Sequence, residues 1–249
     1  MMAQDTCLLI DNSNTRTKFA LGTAAGVGEV RILPTAALTV GGIRDVLGDW
    51  AYHRACACSV VPACRDTIAA ALDGIPLHWV EAVSEPAVDF LSYPGAATLG
   101  ADRVANALAA VALVPLPLVA VDLGTATTFE VLVQGEGRPR FAGGIIAPGY
   151  QSFAACLPSH TAQLPSVVWQ AGGPYVGRNT QEAMSAGVVA GYAGMLDSLL
   201  AGIEREIGEP AHVLFTGGDA AAFAPLLRHA VTVVPGLTLQ GLARAAGLP

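Results

Sequence analysis

Two short apolar runs along the chain end in an aspartate, and a turn of small polar residues follows each of them. Residues 8–10 lead into Asp11, and residues 119–121 lead into Asp122, which lies 111 positions later in a chain of 249 residues. Because a second apolar run follows each turn, each copy predicts a β-hairpin. The separation is close to half the chain, so the two copies indicate an internal duplication.

Further strands and helices are predicted in each half from the same patterning. The expected strands cover residues 18–21, 55–61, 78–80, 129–133, 141–146 and 213–215. The expected helices cover residues 62–72, 101–114 and 180–207, and a further helix opens at 217–219 and runs to about His229. This order predicts an α/β fold of two domains, residues 1–116 and 117–249.

The most apolar stretch, residues 107–121, is predicted to be buried in the protein. It is shorter than the roughly 18 residues that a membrane-spanning helix needs, and Pro115 and Pro117 interrupt it. We therefore expect a helix end, a turn and a buried strand at 118–121. The first residues show no basic segment before an apolar run, so no signal peptide is predicted and a soluble cytoplasmic protein is expected.

The charge of the chain argues against a nucleic-acid partner. The formal net charge is −7 and Lys18 is the only lysine, so no general basic surface is expected. Cys56, Cys58 and Cys64 lie close together in the sequence and leave a metal site as a minor alternative. Because Cys56 and Cys58 alternate with alanines and no zinc spacing is complete, we expect reduced thiols on a buried strand.

The turns after Asp11 and Asp122 suit a polyphosphate ligand. Small residues let backbone N–H groups approach phosphate oxygens, and an aspartate at the end of a strand suits a cation or a cation-bound water. One such turn alone is more typical of an ordinary β-turn. Two matched turns, with a third strand that leads into Gly217 and Gly218, favour a nucleotide site.

A third acidic residue, Asp102, stands at the start of a predicted helix. Its carboxylate can simply complement the helix dipole, with Arg103 as a solvated charge. It can also orient an alcohol and accept its proton during phosphoryl transfer. These residues alone slightly favour the first interpretation.

Several ordered motifs carry a resemblance to a known family. They are Asp11-x-x-Asn14-Thr15, Ser59-Val60-Val61-Pro62, Gly100-Ala101-Asp102-Arg103, Asp122-x-Gly124-Thr125-Ala126-Thr127-Thr128, Gly143-Gly144-x-Ile146-x-Pro148-Gly149, Thr161-Ala162-x-Leu164-Pro165, Gly177-x-Asn179-Thr180 and Thr216-Gly217-Gly218. Through them the chain resembles the type III pantothenate kinases, whose superfamily includes acetate and sugar kinases, actin and heat-shock chaperone ATPases. The resemblance covers nearly the whole sequence.

This resemblance implies a fold, an activity and ligands. The implied fold is two ribonuclease-H-like, actin-like ATPase domains related by internal duplication, with ATP in the cleft between them. The implied reaction is ATP-dependent phosphorylation of pantothenate to 4′-phosphopantothenate, the first step of coenzyme A biosynthesis. Magnesium is expected with ATP, and potassium or ammonium as a monovalent activator. A homodimer is also expected, without nucleic acid or a membrane as partner.

The same resemblance assigns roles to individual residues. Asp102 is expected to be the general base, and Asp122 is expected to bind the monovalent cation. The expected ATP-binding residues are Asp11, Asn12, Ser13, Asn14, Thr15, Arg16, Thr17, Lys18 and Thr125. The expected pantothenate-binding residues are Tyr93, Gly100, Ala101, Asp102, Arg103 and Thr180. From the residues alone, Tyr93 fits an aromatic anchor before a proline equally well, and a helix N-cap is the rival role for Thr180.

Two positions depart from the family pattern. Ser13 stands where the first hairpin usually has glycine, and Glu130 stands where aspartate is common. The serine adds a donor to phosphate if its backbone has a negative φ, or else it crowds the phosphate and weakens ATP binding. Two alternatives therefore stay open: a non-catalytic accessory regulator of the same fold, and a kinase of the same superfamily for another small-molecule alcohol.

Overall fold

The computed structural model describes residues 6–160, 164–167 and 173–249, without the side chain of His160. Within these ranges the strands are β1 (Cys7–Asn12), β2 (Arg16–Thr23), β3 (Gly26–Pro34), β4 (Arg54–Ser59), β5 (Leu77–Trp79), β6 (Leu118–Leu123), β7 (Ala126–Gln134), β8 (Pro139–Pro148), β9 (His212–Thr216) and β10 (Val231–Val233). The α-helices are α1 (Val40–Leu47), α2 (Arg65–Leu72), α3 (Ala101–Leu113), α4 (Tyr150–His160), α5 (Thr180–Ser185), α6 (Gly191–Ile207), α7 (Ala220–Phe223) and α8 (Leu237–Ala245). Two motif residues from the sequence, Thr161 and Ala162, lie outside the described residues.

The first sheet contains five strands in the order β3-β2-β1-β4-β5. β2 is antiparallel to both β1 and β3, whereas β4 is parallel to β1 and β5 is parallel to β4. All six residues of β1 are buried. A strand covered on both faces needs a continuous apolar run rather than an alternating one, which explains the pattern that precedes Asp11.

The second sheet repeats this arrangement in the order β10-β9-β6-β7-β8. β6 is antiparallel to β7 and parallel to β9, and β9 is parallel to β10. β6 occupies the positions of β1 shifted by the same 111 residues that separate the two aspartates. In both sheets a three-strand meander lies beside two strands reached by crossovers. This is the ribonuclease-H-like topology, so the predicted α/β class and the predicted duplication are confirmed.

Packing divides the chain into two compact units. Unit 1 contains Met1–Val114, Val133–Ala142 and Gly236–Pro249, and unit 2 contains Pro115–Leu132 and Gly143–Pro235. Helix α8 belongs to unit 1 because it packs on α3, where a Cβ on Gly241 would overlap the carbonyl oxygen of Ala105. The predicted domain ranges, 1–116 and 117–249, stay predictions, since unit 1 also takes in segments from later in the chain.

The core of unit 1 lies between its sheet and the helices α1 and α2. Ile43 of α1 and Ile68 of α2 are fully buried against Phe19 and the apolar residues of β1 and β4. Helix α1 begins at Thr39, whose side chain accepts a hydrogen bond from the Gly42 N–H. Both helices therefore cover the apolar side chains of the sheet that carries the first hairpin.

Several predicted element ends differ from the structure. The helix predicted at 62–72 begins as a 3₁₀ turn, Pro62–Cys64, before α2. The helix predicted from 217 to about His229 consists only of α7 and a 3₁₀ turn, Ala224–Leu226, because Pro225 cannot donate the next helical hydrogen bond. The strand predicted at 55–61 ends at Ser59. The apolar stretch behaves as expected, since α3 ends at Leu113 and β6 begins at Leu118.

Residues 180–207 form one helical run in which a π-helical turn, Ala186–Ala190, joins α5 to α6. Among the described residues this run, Thr180–Ile207, is the one helix long and apolar enough to cross a membrane by length and composition alone. Helices buried in the core of soluble proteins pass the same test. Its buried residues within α6 are Tyr192, Ala193, Leu196, Leu200 and Ile203.

Candidate active site

The carboxylate of Asp11 lies at the end of β1 and is held by side chains of unit 1. Ser13 Oγ donates to Asp11 Oδ1 at 2.7 Å, and Lys18 Nζ donates to Asp11 Oδ2 at 2.8 Å. The Cys58 thiol lies 3.9 Å from Oδ1. Strand register explains this set, because Lys18 in β2 and Cys58 in β4 are the residues paired with Asp11. With its side chain only 2% exposed, Asp11 is fixed by charge-assisted contacts.

The backbone at Ser13 tolerates a side chain. Among the described non-glycine residues, only Asp73 has a positive φ. Ser13 therefore meets the condition under which serine is acceptable at this turn, and its hydroxyl donates to the Asp11 carboxylate.

A buried network of side-chain hydrogen bonds supports the first hairpin turn. Ser59 Oγ donates to Asn12 Oδ1 at 2.6 Å, and Asn12 Nδ2 donates to Thr17 Oγ1 at 2.8 Å. Thr17 and Thr35 share a hydroxyl contact of 3.0 Å, and Thr35 Oγ1 donates to the carbonyl oxygen of Ser13 at 2.7 Å. This chain of hydrogen bonds ties β1, β2, β4 and the 3₁₀ turn after β3 to the hairpin turn, so the hairpin turn is preorganised before any ligand binds.

The predicted ATP-binding residues of this hairpin consequently fall into two groups. The side chains of Asn12 and Thr17 are buried at 1% and 0% exposure and bond to each other, so they shape the turn. The turn residues Asn14, Thr15 and Arg16 are exposed. Solvent and ligands reach the side chains of these three directly, and they also reach Lys18, whose side chain is 37% exposed.

Asp102 occupies the first turn of α3, and its carboxylate folds back over Gly100. A Cβ on Gly100 would lie 2.6 Å from Asp102 Oδ1, so a larger residue at 100 would displace the carboxylate. The N–H of Arg103 donates to the same oxygen at 2.8 Å. Residues 100–103 therefore form one compact structure in which each position constrains the next.

The electrostatic surroundings of Asp102 raise its pKa above the ordinary value. Burial is the largest cause, and the nearby Asp11 carboxylate raises the pKa further, while the Arg103 N–H and guanidinium oppose both. Burial also raises the pKa of the Cys58 thiol well above its usual range, with Asp11 and Asp102 adding to the shift. Asp11, Cys58 and Asp102 thus form one electrostatic cluster in unit 1, with Lys18 as its cation.

Beside this cluster lies a group of aromatic rings that includes the predicted substrate residue Tyr93. The Tyr93 ring meets the Phe141 ring edge-on at 5.1 Å, and the Phe90 ring lies 5.7 Å from Phe141. The Arg103 guanidinium lies over the Phe141 ring at 5.8 Å. A Cβ on Gly95 would lie 2.7 Å from the Tyr93 ring, so glycine is needed where this ring lies against the backbone.

In unit 2, Asp122 ends β6 as Asp11 ends β1. A Cβ on Gly217, whose φ is +91°, would lie 2.5 Å from both Asp122 Oδ1 and the Leu123 carbonyl oxygen. A Cβ on Gly149 would overlap the carbonyl oxygens of Gly124 and Thr125. Two glycines thus pack closely against a turn rich in oxygen atoms, and oxygen atoms are the ligands that suit a hard cation.

Thr180, predicted to line the pantothenate pocket, is the first residue of α5. Asn179 is the N-cap, since its side chain accepts from the Glu182 N–H at 2.9 Å. The rival N-cap role for Thr180 is therefore wrong. Thr180 instead lines a cavity of about 590 Å³ in unit 2, together with Phe153, Cys156, Leu157, Leu164, Ala183, Met184, Gly187 and Val188.

The cysteines lie where the alternation with alanines predicts. Cys56 and Cys58 are buried within β4, and none of the five cysteines forms a disulfide. In the part of the chain that the structure describes, no group of three or more His, Cys, Asp or Glu side chains has the geometry of a metal site.

Three contributors to the site were missed at the sequence level. Thr35 reaches the first turn from the 3₁₀ turn that follows β3, Cys58 belongs to β4, and Phe141 belongs to β8. Cross-strand register from Asp11 identifies Cys58 once β1 and β4 are paired. The other two depend on tertiary packing, for which a single sequence carries no periodic signal.

Solved structures show the class of fold to which the chain belongs. A conserved candidate transcriptional activator of the Baf family from Campylobacter jejuni matches with a TM-score of 0.63 at 17% identity, covering 96% of this chain and 97% of that one. A glucokinase from an Antarctic psychrotroph matches with a TM-score of 0.52 at 14% identity, covering 98% and 99%. With the two ribonuclease-H-like sheets, these likenesses define a protein of the actin-like ATPase fold.

Sequence comparison narrows this class to one family. The family model for type III pantothenate kinases matches residues 7–202. The type III pantothenate kinase of Akkermansia muciniphila is 40% identical over 244 residues, covering 98% of this chain and 99% of the relative. That of Rhodospirillum rubrum is 35% identical over 254 residues, covering 94% and 95%. The chain belongs to the type III pantothenate kinase family, which confirms the resemblance.

Proposed function

We propose that this protein transfers the γ-phosphate of ATP to the primary hydroxyl of pantothenate, the first step of coenzyme A biosynthesis. Membership of the family supports the reaction and both substrates. The observation that carries the proposal is the placement of Asp102, a largely buried carboxylate electrostatically coupled to Asp11. A phosphoryl-transfer site needs an acceptor for the alcohol proton beside groups that handle phosphate charge.

Asp102 is the general base of the proposed reaction. Its raised pKa makes it a stronger proton acceptor than an exposed aspartate, because the driving force for proton transfer grows as the pKa of the base approaches the working pH. The Arg103 N–H holds one carboxylate oxygen, which leaves the other oriented for the pantothenate hydroxyl.

The first hairpin binds the ATP phosphates. Asn14, Thr15 and Arg16 present exposed donors at the turn, and Lys18 supplies a positive charge on the neighbouring strand β2. ATP carries magnesium, which neutralises phosphate charge when bound. The Asp11 carboxylate fits this ion through the acceptor sites that Ser13 and Lys18 leave on its oxygens.

Asp122 binds a monovalent cation, potassium or ammonium, and Thr125 contacts ATP from the second hairpin. The carbonyl oxygens of residues 123–125, which Gly217 and Gly149 approach closely, support this role because potassium prefers neutral and anionic oxygen ligands. A nucleotide cleft between the two halves stays a prediction from the family resemblance.

Pantothenate is recognised by Tyr93, Gly100, Ala101, Asp102, Arg103 and Thr180. Pantothenate carries one carboxylate, and Arg103, which is 9% exposed as a residue, is the cation of this set. A desolvated guanidinium gains most from an anionic partner. We therefore assign the substrate carboxylate to Arg103 and the rim of the pocket to Tyr93.

The protein is proposed to act as a cytoplasmic homodimer without nucleic acid or a membrane as partner. Several apolar side chains of unit 2 are exposed, including Leu157 at 46%, Tyr175 at 87% and Val176 at 81%. Such exposure supports a dimer interface that covers them. The formal net charge of −7 supports the absence of a nucleic-acid partner.

The test is a coupled ADP-release assay on the purified, folded protein with pantothenate, with and without potassium. We expect ADP release that depends on pantothenate, together with 4′-phosphopantothenate as the product by mass spectrometry. Potassium is expected to stimulate the rate. No turnover of pantothenate by folded protein would contradict the proposed function, and turnover of a different alcohol alone would support another kinase of the superfamily.

A further inference from the structure

We infer that Phe141 is the residue that sets the preference for a carboxylate-bearing substrate, by positioning Arg103 and Tyr93 in one arrangement. The inference rests on the proposed function, since pantothenate supplies the carboxylate. Phe141 is a positioning residue here, because it acts through the two side chains that lie against its ring.

The contacts of Phe141 join the two substrate residues that recognition of pantothenate most needs. Its ring lies under the Arg103 guanidinium at 5.8 Å and against the edge of the Tyr93 ring at 5.1 Å. Phe141 itself is 1% exposed, whereas Tyr93 is half-buried. The buried Phe141 ring therefore packs against the side chains of both Arg103 and Tyr93.

The backbone of Phe141 is anchored independently of these side chains. Phe141 N–H donates to the Asp89 carbonyl oxygen at 3.1 Å, and Asp89 N–H donates to the Pro139 carbonyl oxygen at 2.8 Å. The Asp89 carboxylate lies 3.6 Å from the Arg138 guanidinium. These contacts hold the beginning of β8 against the loop that carries Tyr93, so the ring is placed before substrate binds.

The ring face is what matters for Arg103. An aromatic face attracts a guanidinium within about 6 Å of its centroid, and the attraction grows when the cation is desolvated. Arg103 also lies close enough to Asp102 to lower the pKa of that carboxyl group. By holding the guanidinium over its face, Phe141 fixes the direction from which Arg103 meets the substrate carboxylate.

A flexible apolar residue without a ring face should fill most of the space and lose the positioning. The test variant is therefore Phe141→Met, and Phe141→Tyr keeps the ring face. The matched control is Phe90→Met, which removes a ring that is equally buried, at 1% exposure, in the same group while leaving Phe141 in place.

The measurement compares kcat and KM for pantothenate with those for pantothenol, which has the same primary hydroxyl but no carboxylate, and adds the KM for ATP and the Tm of each variant. For Phe141→Met we expect about a tenfold rise in the KM for pantothenate, as expected for loss of a buried cation–π contact. We expect little change in the KM for ATP and a smaller rise in the KM for pantothenol, because pantothenol loses only the contact with Tyr93. Phe141→Tyr should recover most of the selectivity, and Phe90→Met should lower Tm without changing selectivity.

The outcomes distinguish a failure of the proposed function from a failure of the inference about Phe141. If wild-type protein neither binds nor phosphorylates pantothenate, the proposed function fails and the inference falls with it. If wild-type protein is active but Phe141→Met keeps the wild-type ratio between pantothenate and pantothenol, only the inference is overturned. Equal loss of selectivity in Phe90→Met would also overturn it, because general loosening of the aromatic group would then be sufficient.

Discussion

The two aspartate hairpins share strand positions but differ in what surrounds the carboxylate. Asp11 and Asp122 end equivalent strands, each paired with an antiparallel neighbour and a parallel one. The first carboxylate is bound by the side chains of Ser13 and Lys18. The second lies against a glycine with positive φ, among backbone carbonyl oxygens. In the duplicated scaffold, therefore, side chains of its own hairpin bind the first carboxylate, and a close approach of glycine backbone accompanies the second.

This contrast shows how one topology supports two kinds of ion chemistry. A carboxylate that accepts hydrogen bonds from an ammonium group and a hydroxyl group has a fixed orientation, and the ammonium group balances its charge. A carboxylate close to carbonyl oxygens offers the kind of oxygen ligands that suit a cation with a large coordination shell. The proposed division is phosphate and magnesium at the first hairpin and a monovalent cation at the second.

The largest expected effect that separates the hairpins comes from neutralising each aspartate in turn. Asp11→Asn should lower kcat by about 10²–10³, because preorganised charge at a phosphoryl-transfer site is worth several kcal/mol. It should do so whether or not potassium is present. Asp122→Asn should instead abolish the stimulation by potassium while leaving the potassium-free rate nearly unchanged. Steady-state rates with and without potassium check both, and identical responses of the two variants would remove the proposed division.

A smaller effect is expected from removing the Lys18 ammonium group, which forms the ion pair with Asp11. Lys18→Met keeps much of the side-chain length and removes the 2.8 Å ion pair, so the KM for ATP should rise about tenfold through loss of charge near the phosphates. Lys18→Arg is the matched control because it keeps the charge. Titration of the KM for ATP checks this, and an unchanged value in Lys18→Met would mean that the lysine only supports Asp11.

The smallest expected effect concerns the position at which the first hairpin departs from the family. Ser13→Gly removes the 2.7 Å hydrogen bond to Asp11 and adds backbone freedom. The KM for ATP should change by no more than about threefold, consistent with one hydrogen bond of roughly 0.5–1.5 kcal/mol, partly offset by relief of crowding. Ser13→Ala separates the hydroxyl from the backbone effect. A large gain in ATP affinity in both variants would show that the serine impairs the site.

Much of this architecture follows from the sequence, because strand burial and turn chemistry are local. The runs before Asp11 and Asp122 predicted β1 and β6, and the repeat predicted two sheets of one topology. Helix α8 was not predicted, because its place depends on the close approach of Gly241 to α3, more than 130 positions away in the chain. Strand β3 was also missed, since it is an edge strand in which most residues are not buried.

The site was predictable to the level of its motifs and no further. Gly100 and Asp102 could be singled out from the sequence. The position of the Asp102 carboxylate against Gly100 depends on the three-dimensional structure and could not be predicted. Asn12 and Thr17 were predicted as ATP ligands on motif grounds, whereas the structure places their side chains in a buried network with Thr35. Hydrogen bonds between segments distant in sequence have no periodic signature, which is why this network was not foreseen.

The most direct test of the central claim is the rate of pantothenate-dependent ADP release by Asp102→Asn beside its free energy of unfolding at pH 7.5. Because burial raises the pKa of Asp102 in the folded state, the ionised carboxylate opposes folding above that pKa. The neutral amide removes this cost. We therefore predict a loss in kcat of about 10²–10⁴, with a free energy of unfolding equal to or above that of the wild type. Wild-type turnover by a folded Asp102→Asn protein would contradict the assignment of Asp102 as the base.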